Sequence, residues 1–426
     1  MVVHLTACHD RSIEVESLRS DGRRLWDSLM AMAKIGATSA GGSCRLALTD
    51  EDKAGRDLFV GWCEAAGCSI LVDDMGNIFA RRPGRRDDLP PIATGSHLDT
   101  QPHGGKFDGV YGVLAGLEVV RALNDQGIET EAPIEVVVWT NEEGSRFAPA
   151  MVSSGVYAGL FTRDYALSRT DSEGLTLGAE LARIGYLGSE ICGSHTLGAL
   201  FEAHIEQGPI LERNETTIGV VQGGQGQRWY DLVVLGQDAH SGSTPMAGRR
   251  DALVAAAAMT LVVRRVAEAH PPHAVATVGS LSVHPDSRNT IPGEVRFTVD
   301  LRHPDDGVLT QMGEAFRAGC QEAAETEGVA LDIDEIWHNP PVVFDASCVS
   351  AVRQAAEGLG LKHQDIVSGA GHDACQVCRV APTAMIFVPC AGGLSHNEAE
   401  SATPEDLKAG CDVLIHAMLA KAGTAA

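Results

Sequence analysis

The sequence predicts an α/β fold interrupted by a smaller α+β insert, and three observations carry that expectation. Up to about position 222, short apolar runs alternate with helical stretches, the pattern of a sheet with helices on its faces. From Gly223 the pattern changes to strand-like runs with two long helical stretches, and beyond about position 336 the first pattern resumes. A chain of 426 residues also exceeds what one compact core usually holds. The expected division is 1–222 for the first part of a large domain, 223–335 for the insert and 336–426 for the second part.

Each element has its own signal. Positions 25–35 and 50–67 read as helices, 91–96 as a short strand, 109–126 as a helix with apolar residues at helical spacing, and 134–139 as a β-branched strand. In the insert, 228–235, 275–283 and 294–301 read as strands, with 249–269 and 307–328 as helices. Gly223-Gly-Gln-Gly226 is too short for a phosphate loop and reads as a hinge. A strand at 383–388 and a helix at 404–420 close the chain.

Composition narrows the function classes. Hydrophobic residues at 44% and charged residues at 21% are ordinary for a globular protein. The 33 basic and 57 acidic residues give a net charge of −24, which repels nucleic acid and anionic membrane, so both are excluded as partners. The same field opposes a small anionic substrate unless the site supplies a local cation. Eleven cysteines in no regular framework read as reduced thiols. Positions 1–20 have no apolar h-region, and no uncharged apolar run approaches the roughly 20 residues that span a bilayer, so a cytoplasmic protein is expected. The absence of a G-x-S-x-G elbow disfavours a serine hydrolase.

Four clusters fall where strands are expected to end, which is where open α/β sheets place their ligands. In Thr94-Gly-Ser-His-Leu-Asp-Thr100 and Gly104-Gly-Lys-Phe-Asp-Gly109, His97 is a candidate metal ligand, Asp99 can orient its imidazole from behind, and Asp108 is presented just before a helix. Thr140-Asn-Glu-Glu-Gly144 holds two adjacent carboxylates. Beside a dication, one can ligate while the other, with a raised pKa, takes a proton from water. Glu202-Ala-His-Ile-Glu-Gln-Gly208 offers His204, Glu206 and Gln207, and Ala391-Gly-Gly-Leu-Ser-His-Asn-Glu398 offers His396. His97, Asp108, Glu143, His204 and His396 together suit one zinc-like ion and a second about 3.5–4 Å away, bridged by the aspartate. Arg302 offers a bidentate fork for a carboxylate, or else is a surface arginine paired with one of the many acids. Cys375-Gln-Val-Cys378 reads as two helix cysteines, His103 as a loop residue, and His372 stays open.

The segments G-S-H-L-D-T…G-G-K-F-D-G, T-N-E-E-G-S-R-F, H-I-E-Q-G-P, A-H-S-G-S-T-P-M, S-G-A-G-H-D-A and L-S-H-N-E run in order from residue 94 to 398. As a set they resemble the M20 metallopeptidase superfamily, in its branch of N-carbamoyl-L-amino acid hydrolases, β-ureidopropionases and allantoate amidohydrolases. In the peptidase branch the position of His204 is normally a carboxylate, so histidine there favours the ureido branch.

The resemblance implies a large metal-binding α/β domain with a mixed sheet, and an insert that serves as lid and homodimer surface. It implies two divalent ions per subunit, zinc first with manganese, cobalt or nickel as alternatives. His97 and His204 would hold one ion, Glu143 and His396 the other, with Asp108 bridging and Glu142 as general base. His240 would reach the partner subunit's site to stabilise an oxyanion, while Asn289, Arg302, Gln207 and Gly371 would contact a small anionic ureido substrate. The implied reaction is hydrolysis of an N-carbamoyl α- or β-amino acid to amino acid, carbon dioxide and ammonia. The alternatives are an allantoate amidohydrolase, an M20 aminoacylase or dipeptidase, and a catalytically silent metal-binding relative.

Overall fold

The computed structural model describes residues 16–424. Cys8 and most of the 1–20 stretch read as lacking a signal peptide lie outside the described residues. The chain separates into two compact units, Met1–Gly223 with Val343–Ala426, and Gly224–Val342.

Strands in chain order are β1 (Ser69–Val72), β2 (Ile78–Arg82), β3 (Ile92–His97), β4 (Ile134–Trp139), β5 (Ala199–Ile205) and β6 (Ile218–Gly224). Then come β7 (Gly226–Leu235), β8 (Ala239–His240), β9 (Val275–His284), β10 (Thr290–Ile291), β11 (Glu294–His303) and β12 (Ala330–Asn339). The last three are β13 (Val342–Val343), β14 (His363–Ser368) and β15 (Thr383–Val388).

The larger unit is built on a nine-stranded mixed sheet in the order β1-β2-β4-β3-β5-β15-β6-β13, with β14 paired to β6. Its centre, β4-β3-β5-β15, is parallel, while β2 and β6 run antiparallel to their central neighbours. All residues of those four central strands are buried, which is why they read as near-continuous apolar runs. Register aligns their carboxyl ends, with His97 opposite Trp139 and His204 opposite Phe387. The Val110–Asp125 helix lies close on this centre because Gly112 has no Cβ, which would stand 2.4 Å from the Ala203 carbonyl.

Helix ends follow the capping chemistry. The first described α-helix is Gly22–Met32, three residues ahead of the expected start, because the Asp21 carboxylate accepts from the Arg23 and Arg24 N–H groups. Thr49 caps Asp50–Ala65, and Thr403 caps Pro404–Ala422.

The second unit is a four-stranded antiparallel sheet, β12-β7-β11-β9. The helices Ala252–Glu268 and Asp306–Glu327 share its core with Tyr230, Leu232, Val234, Phe297, Val299 and Leu301. This unit runs past the expected boundary at 335, because β12 pairs along β7 from Ala330 opposite Leu235 to Asn339 opposite Gln227. Among the described residues, no helix is long and apolar enough to cross a membrane.

Candidate active site

The carboxyl ends of the four central strands carry the clustered residues. His97 closes β3 and His204 stands near the end of β5, both about 1% exposed. The Nδ1 of His97 lies 2.8 Å from the Asp99 carbonyl, and that of His204 lies 2.8 Å from the Ile205 carbonyl. A carbonyl only accepts, so each Nδ1 carries the proton and each Nε2 is turned toward Asp108. Asp108 Oδ1 stands 3.1 Å from His204 Nε2 and 3.7 Å from His97 Nε2, and Oδ2 stands 3.3 Å from His396 Nε2. Glu143 is 3.4 Å from the same His396 nitrogen, and Glu142 is 3.5 Å from His97.

The turn that presents Asp108 depends on glycine. Gly109 has a φ of 66°, and a Cβ there would stand 2.3 Å from the His97 ring. Its backbone nitrogen lies 3.1 Å from His204 Nε2, which ties the two histidines and Asp108 into one cluster.

The Asp99 carbonyl, not its carboxylate, orients the His97 imidazole. The carboxylate instead accepts from the N–H groups of Glu142 (3.3 Å) and Glu143 (3.2 Å), so Asp99 shapes the loop that carries the acidic pair. That loop is also held where Met151 N–H donates to the Glu142 carbonyl at 2.7 Å, and where Gln101 donates to Glu143 at 2.7 Å. Glu206, grouped with His204 by sequence, accepts from the N–H groups of Ile210 and Leu211 and so secures the next turn.

Gln207 donates to Asp108 Oδ2 at 2.9 Å, and among the described residues its buried Oε1 has no hydrogen-bond partner. Gly371 is exposed just before His372. His372 is buried, packs edge-on against His204 with ring centroids 4.6 Å apart, and bonds Ser368 at 3.0 Å. His103 is exposed, 3.7 Å from Glu398. The Cys378 thiol donates to the Cys375 carbonyl, a local helix contact.

Sequence reasoning passed over three buried acids around this cluster. Glu202, two residues before His204 on the same strand face, accepts from the Ser96 hydroxyl and the Ala374 N–H. Asp373 is fully buried with no donor on either oxygen among the described residues; the Ser154 hydroxyl donates to the Met151 carbonyl. Glu400 accepts from the N–H groups of Phe107 and Asp108. The alternation of E-A-H marks Glu202, and Asp373 falls within the S-G-A-G-H-D-A segment, whereas nothing in the local sequence marks Glu400.

Burial pushes Glu142 well above the carboxylate range, reinforced by Asp373 and Glu143. Burial and then Asp108 lift Glu143 to about 8. Asp99 and Glu400 rise to about 7 for the same first reason. Burial would raise Asp108 too, but hydrogen bonds to His204 and His396 hold it well below. His97 is pushed down to about 4 by burial. Burial would lower His204, but Asp108 lifts it to about 9, and the hydrogen bond to Asp108 lifts His396 to about 9 as well; the buried carboxylates still outnumber these cations.

That imbalance tests the fit of a metal. His97, Asp108 and His204 offer three ligand atoms within 4.8 Å of one another, and so do Asp108, Glu143 and His396. Nitrogen and carboxylate donors in threes, short of cationic charge, fit divalent ions. The third such grouping, Glu202 with His204 and His372, has its Glu202 and His372 atoms engaged by Ser96, Ala374 and Ser368.

In the second unit, His240 and Asn289 come together, because His240 pairs with Thr290 across β8 and β10. His240 Nδ1 accepts from Gly242 and Ser243 N–H at 3.1 Å each, which leaves Nε2 as the N–H donor. Asn289 Oδ1 accepts from the Ser287 hydroxyl at 3.2 Å. Arg302 is not with them. It lies at the far end of β11, eight residues beyond Glu294, roughly 26 Å along a strand. Its guanidinium is held by Asp300 at 2.7 Å.

Residues 93–420 match peptidase family M20/M25/M40. The chain belongs to that family. It is a hydrolase of carbon–nitrogen bonds from a metal-dependent family, and its own His, Asp and Glu groups are able to bind metal. It is 54% identical over 404 residues to an N-carbamoyl-L-amino-acid amidohydrolase of Rhizobium meliloti, covering 95% of this chain and 97% of that one. It is 32% identical to an allantoate amidohydrolase of Bacillus subtilis, over 91% of this chain and 95% of that one. A solved amidase of the hydantoinase/carbamoylase family from Burkholderia multivorans superposes with a TM-score of 0.93 at 61% identity, covering 95% of this chain and 99% of that one.

Proposed function

We propose that this hydrolase cleaves the ureido C–N bond of N-carbamoyl-L-amino acids, using two divalent ions per subunit, zinc first and manganese, cobalt or nickel as alternatives. The observation that carries the reading is the position of Asp108, with one oxygen toward His97 and His204 and the other toward His396. Glu143 beside His396 completes two donor sets that share one aspartate. When bound, such ions polarise a carbonyl and lower the pKa of water.

The chain's own groups supply the rest. Glu142, whose buried carboxylate favours holding a proton, would take one from the attacking water and return it to the departing nitrogen. The unpaired Gln207 Oε1 is an acceptor for a ureido N–H. His240, with its Nε2–H free to donate, would stabilise the oxyanion, and Asn289 and Arg302 would hold the substrate's carbonyl and carboxylate groups, with Gly371 offering backbone contact. Arg302 would have to share its Asp300 partner with that carboxylate. Since His240 and Arg302 lie at opposite ends of β11, one substrate would meet both only if they come from two subunits, which favours a homodimer through the second unit. The carbamate released breaks down to carbon dioxide and ammonia, leaving the amino acid.

The relative from Bacillus subtilis keeps allantoate as the second reading. Ammonia release across N-carbamoyl-α-amino acids, N-carbamoyl-β-alanine, allantoate and N-acetyl amino acids, with metal supplied, separates them. The expected outcome is fastest turnover of an N-carbamoyl-L-amino acid; faster allantoate turnover would replace this reading with the second.

A further inference from the structure

The glycine-rich turn before Asp108 is wrapped around a carboxylate from elsewhere in the chain. Glu400 is 4% exposed; its Oε1 accepts from Phe107 N–H at 2.9 Å and Asp108 N–H at 3.2 Å, and its Oε2 lies 3.0 Å from the Ser395 hydroxyl. A Cβ on Gly105 would stand 2.0 Å from the Glu400 carboxyl group, so only glycine lets the turn close on it. The same Ser395 hydroxyl lies 2.9 Å from Asp108 Oδ2.

A hydroxyl has one proton and here two carboxylates within reach. Directed at Asp108, that proton occupies a lone pair on Oδ2, the oxygen that faces His396, and competes with any cation there. Turned to Glu400, it leaves that lone pair free, while the Gln207 amide at 2.9 Å keeps the other. We propose that Glu400 and Ser395 are positioning residues that set how tightly Asp108 holds a cation, with Glu400 acting as the alternative acceptor that draws the hydroxyl proton away. This rests on the reading of Asp108 as an ion-binding carboxylate.

Glutamine at 400 can keep its carbonyl oxygen on the two backbone N–H groups but presents an NH2 to Ser395. The alternative acceptor is lost and the turn is kept. Metal-free full-length protein titrated with Zn2+ against a chromophoric chelator reads the effect directly, without turnover. Glu400→Gln is expected to weaken Zn2+ binding by roughly 10–100-fold, with the melting temperature of the metal-free protein unchanged. Adding Ser395→Ala to Glu400→Gln removes the competing proton and is expected to recover most of the lost affinity.

Wild-type affinity in Glu400→Gln overturns the proposal. So does a loss that Ser395→Ala fails to recover, because Glu400 would then merely prop the turn. If Glu400→Gln does not fold, Ser395→Ala alone decides: it must bind Zn2+ at least as tightly as the wild type, and weaker binding sinks the idea. A wild-type protein that takes up no Zn2+ would remove the reading of Asp108 itself, and this inference with it.

Discussion

Glu142 and Glu143 are neighbours in sequence yet differ in what surrounds them. Glu143 faces His396 and the Gln101 amide, whereas Glu142 faces His97 and lies in the field of the buried Asp373. That asymmetry supports the proposed role of Glu142 in proton transfer. Glu142→Gln is expected to keep its metal content, measured by elemental analysis, while turnover falls by roughly 100- to 10,000-fold. Full activity in that variant would end the proposed mechanism. Residue types and spacing drew attention to His97, Asp108, Glu143, His204 and His396, because each lies in a cluster at an expected strand end or the turn after it. They could not reveal that Asp99 works through its backbone on one side and its carboxylate on the other. Nor could they reveal that Glu400 braces the distant turn at Phe107 and Asp108, or that Asp373 is buried beside the acidic pair.

At the scale of elements, the site exists because four parallel strands end in register. A strand end places one side chain; four aligned ends place a cluster. Gly109 is where this arrangement is most sensitive, since its left-handed φ and its contact with the His97 ring both exclude a side chain. Gly109→Ala is expected to displace His97 or Asp108, with loss of metal on the His97–His204 side and little turnover left. Retained metal stoichiometry in a folded Gly109→Ala protein would show that the turn tolerates more than the close approach allows. Strands β3, β4 and β15 and the long helices were legible from apolar periodicity. Strand β12 was not read, although L-D-I-D-E-I alternates, and this moved the boundary of the second unit.

At the scale of the whole molecule, two raised groups of the cluster, Glu143 and His204, lead to a pH prediction. In the metal-free protein, Glu143 and His204 have folded values of about 8 and about 9, above the ordinary 4.5 and 6.5. The folded state therefore holds protons that the unfolded chain releases. The contribution of Glu143 is lost between about pH 4.5 and 8 and that of His204 between about 6.5 and 9, so stability falls as pH rises from 7 to 9. Thermal melts of chelator-treated protein should show this fall, and metal-loaded protein should show a flatter profile. An equally flat profile without metal would mean that these acids are balanced in some other way. The separation of His240 from Arg302 leads to another expectation. Mixing inactive His240→Ala and inactive Glu142→Gln subunits should partly restore activity in heterodimers, read as ammonia release, and no recovery would place His240 outside the partner's site.

By itself the sequence determined the family, the chemical types at the site and the alternation of strands and helices, because these depend on local pattern and on short motifs. The tertiary structure decided which acids are buried together, which atom of each histidine faces Asp108 and which carboxylate braces its turn. Those outcomes depend on strand register and on desolvation, and neither is a property of any short stretch of chain.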